Sequence, residues 1–561
     1  MDEDIKIQKS GFIPAVFIVS LICTGLFYEY ASCAFSVLLL GWLLFKYQKV
    51  RTLRFQWNLT SLAVIALTLS YGISTMWAVD SGMAFIGALK FLPIFLFLLA
   101  VMQEQECKER IIEILPYAAA IMAIMSIAGM QISLLKPYFA VAGRLAGFFQ
   151  YPNSFALFLL VAELLLITKR AYKGIDYITF AVLAGSILYT GSRTVFVLTV
   201  LSNIVMILVD KRKYVRIFGI LIVVAMTIGV VLFALFSDEV YVVTRLLKLS
   251  LEESTFIGRI LYAVDALPVI LKHPFGLGYM GYYYIQQSIQ TGVYSVQSVH
   301  NDFLQIMLDV GWVPFFLFIA AIVKSVFSKQ INLDKKIILI VMVIHSCFDF
   351  DFQFVSMFCL FLLFLDWESG KEVVFEKRRI EMQISLAVLL CVCLYCGISL
   401  AFAQAGKYDI ALSMYPWNTQ AETILLTKIE DTEQACIVAD RILSRNEYVT
   451  LAYSVKARQA YSEGDFENVI TYKRELLEKA PFQYDEYEEY CYMLAHGISL
   501  YTKAGDEQSA KICQRELIET RDKLHHTDEY LSWLGKKIKD QPITELPKEM
   551  ETYVDRLEKA K

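Results

Sequence analysis

An all-α, polytopic membrane bundle followed by an external helical-repeat domain is the fold class this sequence predicts, from three observations. The chain is 57% hydrophobic over 561 residues, with a mean hydropathy of +0.50, which is too apolar for a soluble enzyme and too long for one core. Its apolar residues fall into runs near the length a helix needs to cross hydrocarbon, about 20 residues. The last ~160 residues abandon that pattern and become polar, charged and rich in helix formers.

The runs are roughly 12–27, 31–46, 59–76, 84–101, 111–130, 153–168, 176–190, 194–209, 215–236, 303–328, 335–348, 352–366 and 383–402. About 12 to 13 spans are expected from them. The first has no small-x-small cleavage site and is expected to be retained. Basic residues mark alternate loops: Lys46, Lys49, Arg51 and Arg54; Lys108 and Arg110; Lys169, Arg170 and Lys173; Lys211, Arg212, Lys213 and Arg216; Lys329, Lys335 and Lys336; Lys371, Lys377, Arg378 and Arg379. These loops are expected to be cytoplasmic, since orientation follows Lys and Arg in short loops and the net charge of −4 adds little. The N-terminus is then inside and, after an odd number of spans, the tail outside.

The expected domains are a membrane domain over 1–402, with a large outer loop at about 237–302, and an extracytoplasmic domain over 403–561. The 11 cysteines show neither a disulfide framework nor a metal-ligand spacing and read as buried apolar thiols. Within the tail, AYSEGDFENVITYKRELLEKAP (460–481) is echoed by LYTKAGDEQSAKICQREL (500–517), with Gly464-Asp465 and Gly505-Asp506 at equivalent corners, and AGKYDIALSMYP (405–416) looks similar. The pattern resembles tetratricopeptide repeats, although the corners are spaced more widely than the usual ~34 residues. A plain helical bundle is the alternative.

Ionisable residues at the ends of spans are costly to hold and usually face a cavity. Four share the expected outer face: Arg144 in GRLAGFFQYPNSFA (143–156), Arg193 in TGSRTVF (190–196), Arg259 in the stretch 258–281, and His300 in SVHND. In order, these motifs, followed by HNDFLQIMLDVGW (300–312) and a Pro-containing helix, resemble the O-antigen ligase and Wzy polymerase superfamily over roughly 141–366.

That resemblance implies glycosyl transfer outside the membrane from a polyprenyl-diphosphate-linked saccharide, undecaprenyl diphosphate being the expected carrier, by an inverting single displacement. Arg193 and Arg259 would clamp the diphosphate, because guanidinium is planar, permanently charged and weakly hydrated. Arg144 is a third candidate contact, or a snorkelling arginine at the interface. His300 would accept the acceptor's proton, its ordinary pKa lying near working pH. A helix N-terminus and the neighbouring arginines would favour its neutral form, while Asn301 and Asp302 would cap the helix and hold the ring. Alternatively, His300 only caps or packs at the interface.

Further residues carry open readings. Gly276 and Gly278 fit G-x-G-x-x-G with Gly281, but without a preceding strand the match is a false dinucleotide fingerprint; a glycine turn near the lipid diphosphate agrees with the family pattern. His273 reads as structural. Tyr279, Tyr282, Tyr283, Tyr284 and Tyr294 would stack on sugars or anchor at headgroups. In HSCFDFDFQF (345–354), His345, Asp349 and Asp351 would orient acceptor hydroxyls, supply the base in place of His300, or merely cap a turn.

No cofactor, metal site or nucleic-acid partner is expected, the arginines taking the electrostatic role of a metal. Expected partners are the lipid-linked donor, a glycan, lipid or protein acceptor, the bilayer of the cytoplasmic (inner) membrane, and envelope-assembly proteins through the tail repeats. Polymerase and ligase are not distinguished. Two other classes stay open: a glycan or lipid transporter or flippase, whose charges belong nearer the bilayer midplane, and a non-catalytic scaffold working through its tail.

Overall fold

The computed structural model describes residues 11–104, 106–169, 171–236, 254–375 and 379–559. Residues 237–253 of the expected outer loop lie outside this set, as do Arg170, Lys377 and Arg378. The protein is all-α, with two short antiparallel strand pairs among the described residues. Five described helices are long and apolar enough to cross a membrane by length and composition: Glu29–Val50, Leu59–Met76, Ser81–Met102, Cys107–Met130 and Ile380–Gln404. Five shorter ones are apolar as well: Phe12–Ile22, Pro152–Ile167, Gly174–Thr190, Arg193–Val209 and Trp312–Phe327. This is a polytopic membrane protein.

Two expected spans are reshaped. The run 303–328 is not one helix: it breaks into Asp302–Val310 and Trp312–Phe327 at Gly311, whose φ of 85° is a conformation that glycine adopts at little steric cost. The run 352–366 yields only a 3₁₀ turn, Asp351–Gln353, and the eight-residue helix Val355–Leu362. At 1.5 Å per residue that helix is about 12 Å long, too short to cross. All eight of its residues are buried, so its apolarity serves packing inside the protein.

The chain divides into two compact units, 1–73 with 86–250 and 300–401, and 74–85 with 251–299 and 402–561. At the centre of the first unit stands Pro152–Ile167, in which every residue except Asn153 is buried. A helix apolar on all sides belongs in an interior, and Cys107–Met130, Gly174–Thr190, Arg193–Val209 and Leu333–Ser346 pack against it. The strands Leu53–Trp57 and Lys371–Phe375 pair antiparallel, Leu53 opposite Phe375, joining two loops that carry Arg54 and Lys371.

The second unit is built largely of antiparallel helix pairs. Thr450–Glu463 turns into Phe466–Lys479 at Gly464-Asp465, and Tyr484–Ala504 into Glu507–His525 at Gly505-Asp506. Each corner performs two tasks in two residues. The glycine takes φ near 75° to end one helix, and the aspartate side chain accepts from the amide three residues on, 3.1 Å at Asn468 and 3.0 Å at Ser509, to start the next. Gly406 repeats the left-handed ending, with Lys407 N donating to Phe402 O at 2.9 Å. The corners recur while the helices do not: 14 and 14 residues in one hairpin, 21 and 19 in the other.

Candidate active site

In the first unit a polar chain runs between four segments distant in sequence. Arg144, 8% exposed, donates from Nε to the Thr190 carbonyl at 2.7 Å and from Nη2 to Asn153 Oδ1 at 2.8 Å. Asn153 Nδ2 donates to Asp349 Oδ2 at 2.8 Å, and the Tyr151 hydroxyl donates to Asp349 Oδ1, also at 2.8 Å. That same Oδ1 lies 3.5 Å from Nδ1 of His300. Phe350 stands edge-on to the imidazole, 4.8 Å between centroids. Asp349 is buried, whereas the His300 side chain keeps 19% exposure. The ring is therefore backed by a carboxylate and partly open at the same time.

Local sequence explains how the histidine gets there. Asn301 is the N-cap of Asp302–Val310, its Oδ1 accepting from Phe303 N at 3.1 Å and Leu304 N at 3.0 Å, and its Nδ2 donates to the Cys347 carbonyl at 2.9 Å. Asparagine thus does the capping and also ties the helix start to the 345–354 corner. His300 precedes the helix, at φ 54°, a left-handed conformation uncommon for a residue with a Cβ and often found where function constrains the backbone. The ring is outside the first turn, so the neighbouring carboxylate, more than the helix dipole, sets its surroundings.

Asp302 does not share the capping. It is buried, and its Oδ1 accepts from Phe352 N at 3.0 Å, so it holds the corner from below. Arg193 opens Arg193–Val209, three residues beyond the carbonyl that anchors Arg144, after a left-handed Gly191. Arg144 is therefore braced by the Thr190 carbonyl and Asn153. The structure brings Arg144, Asp349, His300 and Asn301 together, with Asp302 beneath. Arg259, Gly276 and Gly278 belong to the second unit.

Within that unit, Arg259 lies on Ser254–Lys272. The glycine turn that follows packs against 74–85: Val79 N donates to Leu277 O at 2.9 Å, and a Cβ on Gly278, whose φ is 79°, would lie 2.4 Å from Ala78 Cβ. Close backbone approach accounts for Gly278, in place of any nucleotide-binding role.

Residues 178–319 match the family described as O-antigen ligase. The match covers about a quarter of the chain. It contains Arg193, Arg259, Gly276, Gly278, His300, Asn301 and Asp302, and stops short of Arg144 on one side and Asp349 on the other. No curated protein matches the chain. The protein is thus a membrane glycan ligase or polymerase in the broad sense, an enzyme of the glycosyl-transfer type.

Three polar residues packed within the first unit are not conspicuous in the sequence. Tyr151 and Asn153 sit at the head of an apolar helix, where Pro152 marks the first turn, and two hydrogen-bonding side chains at such a position are the available signal. Lys90 is the third, 2% exposed within Ser81–Met102, with Glu29 at 3.7 Å, Gln353 Oε1 at 3.4 Å and the Phe27 ring at 5.0 Å. A buried lysine inside an apolar helix is the signal there.

Proposed function

We propose that the protein polymerises or ligates undecaprenyl-diphosphate-linked glycan on the outer face of the cytoplasmic membrane, by an inverting, metal-independent displacement. The observation that carries this reading is the His300 imidazole, partly exposed, with Nδ1 against the buried Asp349 inside an extended polar brace. The Asp349 carboxylate, 3.5 Å from Nδ1, favours a proton on that nitrogen by its charge and leaves the lone pair on Nε2. Nε2 is then the base.

In the proposed step an acceptor hydroxyl oxygen bonds to the anomeric carbon as the bond from that carbon to the donor's phosphate oxygen breaks. The hydroxyl proton goes to Nε2 and the electron pair leaves on the diphosphate. Arg193 and Arg259 hold that diphosphate and neutralise the charge growing on it, a role for fixed cationic donors. Arg144 acts one step back, ordering Asn153 and the Thr190 carbonyl near Arg193. The positive-inside pattern, with two basic loops joined through Leu53–Trp57 and Lys371–Phe375, supports a cytoplasmic N-terminus and an extracytoplasmic tail. We place acceptor or partner binding in that tail, read as a domain of tetratricopeptide type.

The test uses the purified full chain in detergent with a polyprenyl-diphosphate oligosaccharide, following glycan products and released lipid diphosphate. Turnover without added metal that is lost in both His300→Ala and Arg259→Ala supports the reading, and product size separates polymerase from ligase. Lipid movement across vesicles with no product from any donor would replace it with a transporter.

A further inference from the structure

The helix that carries Arg259 is fastened by residues far along the chain. Asp265, buried on Ser254–Lys272, accepts three hydrogen bonds: from Thr291 N at 2.8 Å, from the Thr291 hydroxyl at 2.7 Å, and from the Tyr294 hydroxyl at 2.8 Å. Thr291 in turn holds the segment Leu531–Ile538. Ser532 N donates to the Thr291 carbonyl at 2.9 Å, and the Ser532 hydroxyl lies 2.9 Å from that of Thr291.

Packing closes the same junction. A Cβ on Gly535 would meet the Thr291 carbonyl oxygen at 2.1 Å, and one on Gly292 would meet Leu261 at 2.8 Å and the Gly535 Cα at 2.9 Å. Neither position has room for a side chain. Leu534 and Ile538 form an apolar cluster with Ile257 and Leu261, with Tyr262 and Tyr294 against it. Ile257 and Leu261 flank Arg259 by two residues on either side. Gln541 finishes the segment by donating to the carbonyls of Gly535 at 3.1 Å and Ile538 at 2.8 Å.

We propose that Asp265 and the strap Leu531–Ile538 are positioning elements that set the helix of Arg259 for the donor diphosphate. This rests on the role given to Arg259 above. The physical reason is preorganisation: a cation stabilises developing charge only if it is already in place, and a misplacement of about 1 Å can cost on the order of 100-fold. A buried carboxylate with three donors has one low-energy arrangement, and the strap packs on Ile257 and Leu261, the helix face opposite the arginine.

The experiment is a double-mutant cycle in the full-length enzyme. Asp265→Asn, Gly535→Ala and the milder Ser532→Ala are each made in wild type and in Arg259→Lys, with turnover and donor KM measured on a polyprenyl-diphosphate glycan. We expect Asp265→Asn and Gly535→Ala to lower kcat/KM for donor by about 10- to 100-fold, Ser532→Ala by a few-fold, and all three to lose most of their effect beside Arg259→Lys. Asp265→Glu should recover part of the loss. Full additivity with Arg259→Lys would mean that the strap acts on general stability, and that overturns the proposal. So would wild-type kinetics in Ser532→Ala and Asp265→Asn. The two readings fail separately: an Arg259→Ala enzyme with normal turnover sinks the phosphate role of Arg259, whereas an inactive Arg259→Ala beside fully active strap variants sinks the strap alone.

Discussion

Two histidine–aspartate pairs share one corner of the first unit and differ in access. His300 meets Asp349 at 3.5 Å with 19% of its side chain exposed. His345 meets Asp351 at 2.5 Å, with side-chain exposures of 0% and 1%. Both aspartates come from the same FDFDF stretch, and both are braced from the head of Pro152–Ile167: Asn153 and Tyr151 hold Asp349, while the Ser154 hydroxyl donates to Asp351 at 2.6 Å. The chemistry of the paired side chains is the same. What separates them is exposure, the His300 ring being partly open and the His345 ring sealed, so on the proposed reading the sealed pair fixes the corner and the looser, open one moves a proton.

The most damaging change on this view is His300→Ala, which removes the base. A positioned general base contributes on the order of 10²- to 10⁴-fold, and single-turnover product formation should fall by that much while the enzyme stays folded. Asp349→Asn comes next, at about 10- to 100-fold, the usual scale for a group that orients another side chain. This variant also sharpens the comparison. If Asp349→Asn loses as much as His300→Ala while His300→Gln retains turnover, the carboxylate is the base, and the roles within the open pair are reversed.

Asn153→Ala should do less, a few-fold, because Tyr151 still donates to Asp349, although Arg144 loses the Asn153 acceptor. Rescue of Asn153→Ala by raising pH, with no change in donor KM, would point to a proton-transfer defect. A raised donor KM would show that the brace serves the arginines instead.

How much of this was legible follows from the range of each interaction. The hydrophobic runs, the Gly-Asp corners and the Asn301 cap are local, and composition or a few adjacent residues signal them. The break at Gly311 and the short helix Val355–Leu362 were hidden because an apolar run looks alike in a membrane span and in a buried helix. Asn153 and Asp349 are 196 residues apart, so no spacing could join them; the sequence supplied His300 and Asp349 as separate candidates, with Asp302 as a cap that it is not. The strap is more distant still, 241 residues from Thr291, and the glycine that permits it, Gly535, has nothing around it in sequence to mark it.

The smallest expected effect on turnover belongs to the sealed pair, and it is the most discriminating. Asp351→Asn keeps the volume of the side chain but leaves His345 and Ser154 facing an amide where a carboxylate stood. Losing one partner of a buried charged pair costs about 3–5 kcal/mol where the pair is ionised, and less where it is a neutral hydrogen bond, about 1–3 kcal/mol. Either loss should appear as a lower unfolding temperature in detergent. Turnover per folded molecule should stay within about 2-fold of wild type at a temperature well below unfolding, since surrounding packing fixes the corner: Phe352 is buried between Phe318 and Phe358, at 6.0 and 4.3 Å between centroids. If Asp351→Asn instead stops turnover with its stability unchanged, burial is not what distinguishes the two pairs, and His345 belongs in the proton path beside His300.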